Sequence, residues 1–156
     1  MNKQIMMQEL NAQQEFFDRS TNVLEEPDSL FRPTPDMMSA ASQIAHAAQT
    51  IDWFMEGAFR PDGFDMDFDI HIKKVEAVAS LATAREWFAS AVDNARKTIE
   101  SHSEEEWAQL LPPGPVMGGA PRFAIFGAIT DHSAHHRGAL TVYSRLLGKV
   151  PPMPYM

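Results

Sequence analysis

RFAIFGAITDHSAHHRGALTVYSRLL, Arg122 to Leu147, is the stretch that decides how this chain folds. Ile125, Ile129, Ala139, Tyr143 and Leu146 recur at steps of three and four, with Leu140 and Leu147 beside them. That spacing lines one face of a long amphipathic helix. Gly148 follows as a helix-ending glycine. The same spacing puts positions 132 and 136 between Ile129 and Ala139, and both are histidine. His135 is turned away from the stripe by about 85°, at roughly 100° per residue. Two neutral imidazoles in a helix seam lose hydration unless both nitrogens of each ring find partners. A divalent metal resolves this, because each ring donates one lone pair and leaves its other nitrogen for an acceptor. The alternative is that both rings are satisfied by hydrogen bonds to other helices.

Three further helices are predicted upstream. The first covers Lys3 to Leu24, with Met6, Leu10, Phe17 and Leu24 inward and Gln13 and Ser20 between them. EEPDSLFRPTPD then breaks the pattern. The second runs from Met38 to Phe59, capped by Asp36 or Ser39, with Ile44, Ala48, Ile51 and Met55 as its stripe. The third covers Ser80 to His102, with Thr83 and Glu86 at capping-box spacing. Its inward face is Leu81, Ala84, Phe88, Ala91, Ala95 and Ile99. Ser103 and Glu106 repeat the box and start a short extra helix. Four long amphipathic helices in one chain of this length predict an all-α four-helix bundle over residues 1–148, with 149–156 as an extended tail. GFDMDFDIHI, Gly63 to Ile72, alternates apolar and polar residues with period two. It predicts a short extended segment between the second and third helices. Its acids at 65, 67 and 69, with Glu76, imitate part of a calcium loop. Ile70 stands where that loop needs glycine, so these acids read as a solvated edge.

Composition narrows the function. With 156 residues and 44% hydrophobic content the chain builds one real core. It has no cysteine, which excludes disulfides, thiolate metal sites and a cysteine nucleophile. A net charge of −8 repels phosphate backbones, so no nucleic-acid partner is expected. The N-terminus reads as neither signal peptide nor anchor, and no run of apolar residues is long enough for a bilayer. A cytoplasmic protein without membrane partners is expected.

A third metal ligand has to come from another helix. His102 ends the third helix, where it complements the dipole. His71 falls on the polar side of the alternating segment. His46 shares a strip with Ser42, Thr50 and Trp53, away from the aliphatic stripe of its helix. Periodicity leaves its role open. FRPTPDMMSAASQIAHAAQTIDWF (31–54) followed by ITDHSAHHRGALTVYSRLLGKVPP (129–152) resembles the DinB-like family of damage-inducible bacterial proteins. That family is similar to thiol-dependent S-transferases that use bacillithiol or mycothiol. The matching features are the Arg-Pro loop, the histidine of the second helix, His-x-x-x-His-Arg-Gly and the Gly-Lys-x-Pro-Pro exit. The resemblance implies a four-helix bundle, often a homodimer, and a divalent metal held by His46, His132 and His136. His135 is not carried over, and the Gly63–Ile72 segment departs from the family pattern.

The expected activity is that of a metal-dependent enzyme with a small-molecule substrate. Zinc or nickel suits three imidazoles, and iron is also compatible. The metal activates a low-molecular-weight thiol or water for S-transfer or hydrolysis. Thr50 and Trp53 are expected to line the pocket. Tyr143 is a candidate hydrogen-bond donor into the site, set against a plain core role. Arg137 reads as an ion-pair partner. The competing reading is a non-catalytic metal-binding dimer, favoured by the lack of a carboxylate in the seam.

Overall fold

The computed structural model describes residues 1–155, and it is all-helical. Helix α1 spans Lys3–Thr21 and α2 spans Ala40–Phe59. A short α3 covers Phe68–Glu76, α4 covers Leu81–Ser101, α5 covers Glu104–Ala108 and α6 covers Ile125–Leu146. The four long helices form the bundle: α2 packs against α4 and α6, and α1 against α6 and α4. None is long and apolar enough to cross a membrane.

The cause of this arrangement lies in α2. Ser39 caps it, its hydroxyl accepting from the Ser42 amide at 3.1 Å. Nearly every side chain after that is buried, and alanines 40, 41, 45, 47, 48 and 58 are fully so. A helix buried on nearly all sides belongs in the middle, and small side chains let neighbours approach closely. Only His46, Asp52, Trp53, Glu56 and Phe59 escape full burial. The inward face of α4 is the predicted one, extended by Val92. Its cap is Ser80, which accepts from the Thr83 amide, rather than Thr83 with Glu86. The Ser103–Glu106 box does start α5, and Trp107 within it is fully buried. Arg85 of α4 closes the end of α1 by donating to the Thr21 carbonyl at 2.7 Å.

Two expectations change. The Gly63–Ile72 segment is not extended. Asp67 accepts from the Ile70 amide and starts α3 at Phe68. A period-two pattern needs a neighbouring strand, and the described residues contain none. In the turn before α3, Phe64 packs directly over Gly57 of α2, where an added Cβ would lie 2.1 Å from its ring. On α6, Leu146 is 60% exposed. The buried face there drifts instead through Phe126, Ser133, Leu140 and Ser144. A single-turn 3-10 segment, Arg122–Ala124, precedes the helix.

Gly148 has φ +75°, and the Lys149 amide bonds back to the Ser144 carbonyl at 2.8 Å. This turn delivers Lys149 to Glu25 at 2.8 Å and to Asp28. Residues beyond it are non-helical, with the Tyr155 ring edge-on to Phe16 at 4.9 Å. Met156, the last residue of the predicted tail, lies outside the described residues. Burial alone raises the Asp28 pKa, but hydrogen bonds from Lys149 and the Glu25 amide outweigh it and hold the carboxyl below its usual 3.8. A depressed folded pKa contributes stability above the unfolded value, and this is lost as pH falls through the folded one. Lys149→Met is therefore expected to lower the melting temperature at neutral pH. Against wild type in an acid titration, the difference should close only below 3.8.

Candidate metal centre

Gln43, His46, Thr50 and Trp53 follow one another at steps of three and four along α2, so they share a face. That face turns toward α6, where His132 and His136 stand one turn apart. The His46 ring lies 4.9 Å from each of the other two, and those two lie 4.5 Å apart, centroid to centroid. One ring nitrogen from each histidine falls within 4.8 Å of the others. His136 is buried, while His46 and His132 are half-buried. His135 is exposed on the flank of α6 and is not part of the trio.

A chain of hydrogen bonds sets the state of His136. The Tyr143 hydroxyl donates to the Met38 carbonyl at 2.9 Å. It accepts in turn from the Gln43 amide nitrogen at 3.3 Å. That orientation leaves the Gln43 carbonyl facing His136 Nδ1, with which it is in close hydrogen-bond contact. An acceptor there requires the proton on Nδ1 and the lone pair on Nε2. His136 Nε2 faces His132 Nε2 at 3.3 Å. His132 Nδ1 is buried without a partner. With its proton on Nδ1, His132 sets two lone pairs against each other; with the proton on Nε2, Nδ1 is a buried acceptor without a donor. A cation between the rings removes the clash of lone pairs, so the donor set fits a divalent ion.

Electrostatics keep these rings in the donor form. Burial, and then the neighbouring histidines, push His132 down to about 4 and His136 down to about 3. Burial likewise lowers His46, although its hydrogen bond with Gln49 opposes the shift. At neutral pH all three are uncharged imidazoles.

Beside the trio lies a cavity of about 220 Å³. His46, His132, Thr50 and Trp53 are all part of its lining. Tyr143 does not reach the cavity; it is a buried residue acting through Gln43. His102 caps α4 and stacks on Phe59 at 3.7 Å. Arg137 sits against Phe16 and Tyr155, and among the described residues it makes no ion pair. Sequence reasoning missed Gln43 and Gln49, although both stand three residues from His46 on a helix otherwise rich in alanine. It also left His71 in solvent, whereas α3 turns this ring into the cavity lining.

Gln43→Leu keeps side-chain volume but removes the acceptor for His136. Divalent-metal affinity is expected to fall about 10–100-fold, as for lost outer partners of ligating histidines. Competition with a chromogenic chelator checks this, and unchanged affinity counts against the hydrogen-bond chain.

A search of curated proteins finds no match to the chain. The family model for the DinB superfamily matches residues 9–140. The matched region runs from α1 to beyond both seam histidines of α6. With most of its length matched, and with the four-helix core and histidine trio in place, the chain belongs to the DinB superfamily.

Proposed function

We propose that the protein is a metal-dependent enzyme for small molecules, with His46, His132 and His136 holding a divalent ion. Zinc or nickel suits the three-imidazole set best, with iron compatible. Such an ion, when bound, supplies Lewis acidity that favours deprotonation of a thiol or water. The observation that carries the reading is the position of the trio. Two of the three uncharged imidazoles, His46 and His132, line a cavity, so the trio is not sealed inside the core. Three protein ligands with open positions are the pattern of catalytic rather than structural sites.

The chain's own residues have defined parts in this reading. His136 offers Nε2 because Gln43 accepts its Nδ1 proton. Trp53 donates from Nε1 to the Asp65 carbonyl at 2.7 Å, fixing the connection that covers the cavity. Trp53 and Phe54 exclude water from one wall. The chain has no cysteine, so a thiol nucleophile must arrive as a cosubstrate. S-transfer to an electrophile and hydrolysis are the two reactions this supports. The test is a panel of low-molecular-weight thiols with an alkyl halide, beside simple esters, on zinc- and nickel-loaded protein. Turnover that disappears in His132→Ala is the expected result. Stoichiometric metal with no turnover on any thiol or ester would favour a non-catalytic metal-binding protein.

A further inference from the structure

We propose that the cavity between α1 and α6 is a second binding site, for a small carboxylic acid with a compact apolar body, and that Arg137 holds its carboxylate. This goes beyond the metal-site reading and does not rest on it.

The periodicity of α6 keeps the two places apart. Thr130, Ser133, Ala134 and Arg137 recur at steps of three and four, so they share one face. At roughly 100° per residue that face lies about 130° around the helix from His132 and His136. It meets α1 rather than α2, and the Gln13 side chain donates to the Ser133 hydroxyl at 2.6 Å. The four residues line a cavity of about 180 Å³, with Phe16 of α1 and Tyr155 of the tail among its other walls.

Arg137 supplies the charge. Among the described residues it makes no ion pair, and its guanidinium has one long hydrogen bond, to the Tyr155 hydroxyl at 3.4 Å. The guanidinium carbon lies 5.8 Å from the centroids of both the Phe16 and the Tyr155 ring. Those rings restrain it yet leave most of its five N–H donors unspent. A planar guanidinium in that state matches a carboxylate, which it binds through two parallel hydrogen bonds. The Thr130 and Ser133 hydroxyls are further donors on the same face.

The surroundings fix the guest's orientation and size. No aspartate or glutamate lines this cavity. An adjoining groove shares Phe16 and Ala134 with it and carries Glu9 and Asp131. Asp131 is six residues before Arg137, about 9 Å along the helix axis. A bound acid therefore sets its carboxylate at the Arg137 end. The chain's net charge of −8 opposes anions at long range, which makes affinity depend on that local cation. A dry cavity of about 150 Å³ takes up benzene. The space here accommodates one ring bearing a carboxylate, against the apolar walls of Phe16, Ala134 and Tyr155.

The test uses benzoate and benzamide, a neutral analogue of the same shape, read by calorimetry and backbone amide chemical shifts. The full chain is used metal-free, so that benzoate has no bound ion to ligate. Benzoate is expected to bind at least about tenfold tighter than benzamide. It should move the amide signals of residues 13–17 and 130–137 rather than those of 46–54. Arg137→Gln should remove the advantage of benzoate and leave benzamide unchanged, and Arg137→Lys should restore part of it. Equal affinity for the two ligands overturns the proposal, as does a benzoate preference that survives Arg137→Gln. Shifts confined to α2 and α3, or no benzoate binding at millimolar concentration, overturn it as well.

Discussion

Purified beside wild type, His46→Ala, His132→Ala and His136→Ala are expected to lose their divalent metal, while His135→Ala keeps it. The affinity loss in the first three should be about 100-fold or more, beyond the cost of losing an outer hydrogen-bond partner. The distinction is sharp because His135 and His136 are neighbours in sequence. His136 is buried with Nε2 directed at His132, whereas His135 is exposed on the next face of α6. Elemental analysis after dialysis against a weak chelator checks it. Circular dichroism confirms that each variant remains folded. An empty His135→Ala beside a loaded His136→Ala would falsify the trio as assigned.

The largest stability effect is expected at Phe88. Its ring stacks on Phe17 at 4.4 Å, tying α4 to α1, and it is 2% exposed. Phe88→Ala should cost about 3–5 kcal/mol, through lost burial and the cavity left behind. Domains of this kind have only about 5–15 kcal/mol in total, so the variant sits near the threshold. Urea denaturation should show a much lower midpoint with an unchanged slope. Below its transition the variant should still bind metal, because the trio is carried by α2 and α6. A loss under about 1 kcal/mol would mean that the α1–α4 contact is not the clasp described.

The features legible in the sequence were those set by long periodicities. Four helices and the His132–His136 seam follow from spacing over twenty residues or so. Of the shorter signals the Ser103–Glu106 box held, and others were overridden. Phe64, Met66, Phe68, Ile70 and Ile72 alternate like a strand, but no second strand exists among the described residues to receive them. The Asp67 cap then prevails, and α3 buries only Val75. At Thr83 and Glu86 the box spacing was present, yet Ser80 lay one turn earlier and took the cap. Leu146 satisfied the heptad arithmetic but lies beyond the reach of the partner helices, because the buried face of a straight helix drifts against a strict seven-residue repeat. The apolar stripe of α2 said nothing of Gln43 and Gln49. Their roles depend on which helix faces them, which is tertiary information. His71 was hidden for the same reason, since its face depended on whether its segment formed a helix.

The α2–α6 and α3 parts of the cavity lining differ in how they are held. His46 and His132 stand on long helices that carry the bundle core, whereas Val75 is the one buried residue of α3. Local opening follows burial, so α3 should exchange its amide hydrogens by small fluctuations while the α2 core protects its own until the whole chain unfolds. The α3 wall of the cavity can breathe on a fast timescale while the histidine nitrogens on α2 and α6 keep their spacing.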